Sequence, residues 1–370
     1  MSIPSCPICS AKMTRHGYTS AGRQRWRCRA CSVSGLNSID NSAKRLEEFL
    51  AWLLSGARQV DMTGQGRSFR RRCKDLWSIW PLAPLVDEVH DVVFVDGIHL
   101  GRKAVVLIAC TPDYVLGWYV ARAENSRAWT ALMQRIAPPL LVVSDGGGGF
   151  EKALRRVWPD SEHQRCTFHV FTQIRQATTT RPKLEASQEL YSLGKQLLRV
   201  KNTGQALAWM ADYQAWDQYW SGFLAEKTLT ATGWAYTHER LVRVRNSINK
   251  LISRGVLFTF CDPAWQMPMP AMNNQIEGAI NSPLRQMLRD HRGMRLTRRI
   301  KAIFWWCYMH TENPLPAAQI LKTMPTDTDI ENAWQQASLK HHTSGIIPKW
   351  ADATAWNELH HTTPYNNTWD

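Results

Sequence analysis

The chain has 370 residues, 44% of them hydrophobic, and a formal net charge of +14. That length suits two or three domains and that apolar content builds a sizeable core, which excludes a wholly disordered chain; no apolar run reaches the roughly 18 residues of a membrane helix and MSIPSCPICSAK lacks an apolar signal core, so a soluble, unexported protein is expected. The charge favours a polyanionic partner, and its clustering sharpens this: residues 1–39 hold no Asp or Glu, Arg67–Lys74 has five basic residues in eight, and Arg285–Lys301 has seven against one acid.

The first element is a pair of cysteine knuckles, Cys6-Pro-Ile-Cys9 and Cys28-Arg-Ala-Cys31. Each pair spans one tight turn, so four thiolates can close on one structural Zn²⁺, and a segment this short needs such a staple to fold. The five other cysteines (Cys73, Cys110, Cys166, Cys261, Cys307) are scattered singly, which argues against a disulfide framework and for a reducing compartment. Between the knuckles, Arg23, Arg25, Arg27 and Arg29 alternate along an expected strand and share one face, suited to phosphate contact; a purely structural ribbon is the competing reading.

Residues 42–80 read as helical. Leu46, Phe49, Leu50, Leu53 and Leu54 recur at helical spacing, Gly56 breaks the run, and a second helix is expected over Gly66–Trp80, carrying Arg67, Arg70, Arg71 and Arg72. This is either a helix-turn-helix or a helical hairpin with a solvated basic face. From Val89 the texture turns to strands: DVVFVDGIHL, KAVVLIACT and YVLGWYVARA in a meander, then the helix SRAWTALMQRI, the strand LLVVSD, the helix FEKALRRVW and a fifth strand, EHQRCTFHV. The order β-β-β-α-β-α-β is that of the ribonuclease H-like fold, an α/β layer with a mixed sheet. Residues 171–265 then carry helical stripes, Trp209, Tyr213, Trp216, Trp220 and Phe223 among them, which read as core rather than base-stacking platforms; Trp234 and Trp265, off that stripe, are candidates for stacking on a base. The stretch from Leu315 is polar and carries no motif.

Two apolar strands run into an aspartate followed by glycine, VVFVDG at Asp96 and LLVVSDGGGG at Asp145. No Lys-Ser or Lys-Thr follows the glycines, so a phosphate loop is excluded. Each aspartate alone is a common turn residue; on neighbouring strands of the expected sheet the two would crowd, and a divalent cation relieves their repulsion. A third carboxylate, Glu277, falls in the first turn of a helix that Asn273 or Asn274 would cap and that Pro283 would kink. Arg285, Arg289, Arg292 and Arg299 would form a basic stripe along it, either a phosphate track or a solvated face. Three carboxylates holding two Mg²⁺ or Mn²⁺ ions suit phosphodiester cleavage and transfer.

With these motifs in order, the chain resembles the DDE transposases of the Mutator-like superfamily, in their bacterial insertion-sequence branch. The residues that carry the resemblance are Asp96 in VDG, Asp145 in VSDGG, Cys166-Thr-Phe-His169, Glu277 in NNQIEG, and HRGM with the basic helix after it. The resemblance implies that Asp96, Asp145 and Glu277 bind two metal ions, with Cys166, His169 and Asn274 in support; a buried cysteine and a satisfied histidine are the competing reading of that pair. It implies cleavage at terminal inverted repeats, joining of 3′-hydroxyls to double-stranded target DNA, a homodimer or higher oligomer in the synaptic complex, and a bacterial cytoplasmic, nucleoid-associated location. The expected division is a zinc ribbon (1–40), a helix-turn-helix-like DNA-binding segment (41–86), a catalytic core in two parts (87–170 and 269–314) split by a helical insertion (171–268), and a tail (315–370). Two alternatives compete: a hydrolytic DNA nuclease of the same fold, and an inactive zinc-ribbon DNA-binding protein.

Overall fold

A computed structural model of the protein describes residues 3–6, 9–36, 41–231, 233–274 and 276–344, with side chains described to residue 336; the rest of the tail lies outside the described residues. The chain opens with a small antiparallel sheet, β1 (Met13–Tyr18), β2 (Gln24–Cys28) and β3 (Ser34–Leu36). Met13, Trp26 and Cys28 turn inward with Cys6 to a core of their own, while Arg23, Arg25, Arg27 and Arg29 stay exposed, as the alternation predicts.

Two helices follow, α1 (Ser42–Leu53) and α2 (Gln65–Arg72). The second stops short of Trp80, because Asp75–Ser78 tightens into a 3₁₀ turn. Residues 54–64 connect the helices, longer than the three or four residues of a helix-turn-helix corner. Phe49, Trp52, Phe69 and Trp77 meet edge to face, and Phe49 reaches Trp305 at 6.2 Å, so this segment shares a core with the central sheet.

That sheet has five strands: β4 (Val92–Leu100), β5 (Ala104–Cys110), β6 (Val115–Ala121), β7 (Leu141–Ser144) and β8 (Glu162–Arg165), in the order β6-β5-β4-β7-β8. β4 pairs antiparallel with β5 and parallel with β7, so the sheet is mixed. β5 and β6 are buried at every position because both faces are covered. On one face Val93, Val95, Val105 and Val142 pack under α3 (Ser126–Met133) and α4 (Gly148–Val157). On the other, Phe94, Ile98, Val106 and Val143 join the large helical core.

β8 ends at Arg165, and Cys166 caps α5 (Thr167–Thr178), where the sequence predicts strand. Cys166, Val170 and Ile174 are all buried; this four-residue period overrides the β-prone composition of CTFHVF. The insertion continues with α6 (Glu185–Leu197), α7 (Thr203–Tyr219), α8 (Ser221–Ala225), a hairpin of β9 (Lys227–Thr230) and β10 (Gly233–Tyr236), and α9 (Glu239–Ser253). Trp209, Tyr213 and Trp216 are buried, and their stripe packs the interior as expected; the hairpin is an addition to the all-helical expectation. The chain returns along β8, where the Arg165 N–H donates to the Val256 carbonyl and Gln164 Nε2 donates to that of Leu257. It finishes with a six-residue π-helical turn over Ile276–Asn281, α10 (Ser282–Asp290), α11 (Leu296–Met309), α12 (Ala317–Thr323) and α13 (Asp327–Ser344). Lys301 of α11 is fully buried; its Nζ donates to Trp77 O and Asp327 Oδ1 and lies 4.6 Å from the Trp80 ring centroid. Among the described residues no helix is long and apolar enough to cross a membrane.

Candidate active site

The parallel register that pairs Val92 with Leu141 and Phe94 with Val143, carried two residues further, sets Asp96 beside Asp145. Asp96 shares its strand parity with Phe94 and Ile98, and Asp145 with Leu141 and Val143, so both point to the face of the large core. They stand at the carboxyl ends of adjacent parallel strands, where open α/β sheets hold their ligands. Burial raises the pKa of Asp96 above the ordinary carboxylate value and the charge of Asp145 acts in the same direction, while the Gly97 N–H, 2.8 Å from Asp96 Oδ1, opposes it.

The segment 271–281 closes over this sheet end. Asn273 Nδ2 donates to the Val95 carbonyl, the Asn273 N–H to Cys166 Sγ, and the Thr167 N–H to the Ala271 carbonyl. The fully buried Asn281 donates from Nδ2 to Asp96 Oδ2 at 2.5 Å. Glu277 therefore rides on a segment stitched to the strand of Asp96 and to the start of α5, with its Oε1 3.5 Å from His169 Nε2. The neighbouring Cys166 thiol first, and then the charges of Asp145 and Glu277, raise the His169 pKa against its partial burial. Cys166 and His169 thus have visible work: one accepts the Asn273 N–H and the other faces Glu277. Asn274 is exposed, with its Nδ2 3.8 Å from Met272 Sδ. The predicted kink near Pro283 takes the form of the π turn that precedes it; Pro283 sits in the first turn of α10, where its missing N–H costs least. Among the described residues the four cysteines are the one group of three or more potential ligands whose atoms all lie within 4.8 Å, so the three carboxylates stand less tightly together than that.

The glycines after Asp145 have separate causes. Gly146 has φ +77°, and a Cβ there would lie 2.6 Å from the Arg165 guanidinium; a Cβ at Gly149 would lie 2.9 Å from the Glu124 carbonyl. Glu124, on the loop between β6 and α3, was not singled out from the sequence. Its Oε1 lies 3.0 Å from His99 Nε2. Burial first, and then the charge of Asp145, raise its pKa, with His99 opposing.

The predicted basic stripe is not one helix. α10 ends at Asp290 and α11 begins at Leu296, because Gly293 takes φ +95° and ends the first helix. Arg285, Arg289, Arg292 and Arg299 nonetheless line one cavity of about 630 Å³ together with Gly97 and His99. A second cavity, about 830 Å³, shares His291–Met294 with it and runs past Arg298 and Lys74 to Arg58 and Arg70. The two make a continuous basic track from the α1–α2 segment to the sheet end. Buried His291 joins the parts, with Nε2 3.0 Å from the Leu53 carbonyl. Arg67, Arg70 and Arg71 are exposed, whereas Arg72 is tied to Glu48 at 3.2 Å and to the Thr63 carbonyl and so acts as a brace. Trp234 is 71% exposed on β10; Trp265 is half-buried and its indole N–H donates to Thr259 O.

At the other end of the chain the Sγ atoms of Cys6, Cys9, Cys28 and Cys31 all lie within 4.8 Å of one another, with Cys6–Cys31 and Cys9–Cys28 at 3.4 Å. Zn–S bonds of about 2.3 Å put tetrahedral sulfurs about 3.8 Å apart, so this group could hold a structural zinc.

Comparison with known proteins bears on the central part of the chain. Residues 87–254 match the family model described as "Transposase, Mutator family". Asp96, Asp145, Cys166 and His169 fall inside that span and Glu277 beyond it. The chain is 33% identical over 97 residues to the transposase for insertion sequence element IS905 of Lactococcus lactis subsp. lactis (strain IL1403), covering 22% of this chain and 25% of that protein. It is 31% identical over 102 residues to the transposase for insertion sequence element IS6120 of Mycolicibacterium smegmatis, covering 21% of this chain and 28% of the relative. The alignments thus span about a quarter of each relative's length. Over residues 87–254 the chain thus matches the domain of the Mutator-family transposases and is similar to transposases of bacterial insertion sequences, the resemblance that its motifs carry.

Proposed function

We propose that this chain is a DNA transposase of the DDE type, with Asp96, Asp145 and Glu277 as catalytic carboxylates on a ribonuclease H-like core. The observation that carries the reading is the pair of aspartates on one face of adjacent parallel strands, with the glutamate's segment hydrogen-bonded to the first of those strands at Val95 and Asp96. An all-oxygen donor set, in which burial and then the charge of Asp145 raise the pKa of Asp96, fits hard divalent cations. Mg²⁺ or Mn²⁺, two per site, would when bound activate a water or a 3′-hydroxyl and stabilise the leaving oxygen of a phosphodiester.

The chain's own residues have distinct tasks. Asp96 and Asp145 offer oxygens from the sheet, and Asn281 fixes one oxygen of Asp96. His169 orients Glu277, and Cys166 anchors the segment that bears it. The basic track holds the phosphate backbone and leads it to the carboxylates. The zinc ribbon, over 1–40, and the helices of 41–86 would recognise terminal inverted repeats through Arg23, Arg25, Arg27, Arg67, Arg70 and Arg71. The core parts, 87–170 and 269–314, would cut there and join the 3′ ends to target DNA, with the insertion of 171–268 covering the site. Two or more copies would hold the paired ends at the bacterial nucleoid. The test is cleavage and strand transfer on DNA carrying the ends of the mobile element. Asp96→Asn, Asp145→Asn and Glu277→Gln should each abolish both steps and leave DNA binding intact; normal cleavage by any of the three would refute the assignment.

A further inference from the structure

We propose that Glu124 is a fourth carboxylate of this site and contributes to divalent-cation binding together with Asp145, an inference that rests on the metal-dependent reading above. Both aspartates are followed by glycine, and Gly97 is in regular strand, so backbone conformation does not demand a glycine there. Glu124 does. A Cβ at position 97 would clash with Glu124 Oε1 and come within 3.0 Å of its Cδ. At Gly147 the point a Cβ would occupy lies 3.9 Å from Glu124 Oε2 and 3.8 Å from Asp145 Oδ1, so the two carboxylates border the same small space. At Gly149 the bare backbone admits the Glu124 carbonyl. Gly97 after the first aspartate and Gly149 after the second thus lie where a side chain would press on Glu124.

The fold explains how it arrives. β7 stops at Ser144 while β4 runs on to Leu100, so no strand separates Gly97 from the loop of Asp145. Glu124 enters from the α3–α4 side, with Asn125 capping α3 behind it through the Ala128 N–H. His99, on the same strand parity as Gly97, holds its outer oxygen at 3.0 Å. A side chain only 23% exposed that borders the same space as the Asp145 carboxylate is poorly placed as a surface charge. A separate observation points to a ligand on the Asp96 side of the same site. Asn281, fully buried against Asp96, has its carbonyl oxygen Oδ1 without a protein partner. That oxygen is an additional donor of the type a hard cation takes.

The test is Mn²⁺ binding by isothermal titration and by electron paramagnetic resonance, in the absence of DNA, on the full chain with its cysteine site loaded with zinc. Glu124→Gln keeps the shape and the His99 contact. It should weaken Mn²⁺ binding at least about tenfold and reduce the rise in melting temperature that Mn²⁺ produces. Gly97→Ala, which keeps every charge and displaces Glu124, should do the same. Glu124→Gln with wild-type affinity and stoichiometry, beside an Asp145→Asn variant that loses binding, would make Glu124 a packing residue and overturn the inference alone. A wild-type chain that binds no Mn²⁺ at these carboxylates would overturn both this inference and the metal-dependent reading beneath it.

Discussion

The two candidate metal sites are built in opposite ways. The cysteine site closes within one short segment, whose four sulfurs already lie within 4.8 Å around a private core of Met13 and Trp26. The carboxylate site is gathered from strand ends, a loop and a π-helical turn, and the hydrogen bond that ties its halves, Asn281 to Asp96, joins residues 185 positions apart. A local site depends on its ion for its fold. A dispersed site depends on the fold for its geometry, and holds mutually repelling groups that the fold tolerates.

The largest break in this contrast comes from zinc removal. Chelation, or Cys28→Ser, should unfold residues 1–36 outright, since binding energies of about 10–16 kcal/mol are folding energy in such modules; limited proteolysis should then clip that segment and spare the rest. At the carboxylate site the sign reverses. Asp96→Asn should lower cleavage about a thousandfold or more yet raise the melting temperature of the metal-free protein. The raised pKa of Asp96 means that its contribution is lost as pH rises from the ordinary carboxylate range through that raised value, so the wild type should lose stability across that window relative to the variant. Melting curves of both proteins over that pH range measure it. A smaller effect is expected where α11 meets α13. Asp327→Ala removes the anionic partner of buried Lys301 and the acceptor of the Trp80 indole, and should cost about 1–3 kcal/mol in denaturant unfolding without touching metal affinity. Smallest are the arginines of the track. Arg70→Ala should reduce the salt slope of DNA binding by about one, with melting unchanged, whereas Arg72→Ala should lower melting, because it releases Glu48 and Thr63.

Legibility in the sequence follows the same division. The paired knuckles and the arginine alternation are local patterns, and the structure repeats them. The strands into Asp96 and Asp145 are readable because buried β-branched runs stop at a polar residue. Less was readable where chain separation decides. The strand expected over EHQRCTFHV becomes a helix at Thr167 because the period of Cys166, Val170 and Ile174 matters more than composition. Pro283 predicts a disturbance but not that it takes the form of a π turn before the proline. The arginine stripe was drawn on one helix, although the positive φ at Gly293 brings its members together from two. Glu124 is not legible at all: a lone acid in a polar loop carries no signal, and its trace in the sequence is Gly97 and Gly149, which lie against it in the fold.

If the carboxylates act on DNA as proposed, the long excursion between β8 and the π turn also sets when the protein could begin to do so. A polypeptide still emerging from the ribosome presents Asp96 and Asp145 early, but Glu277 and Asn281 reach them only after the whole helical detour has been synthesised and packed. Fragments made by premature termination or by a nick that releases the later part would carry basic surfaces able to grip a chromosome and no complete blade with which to cut it.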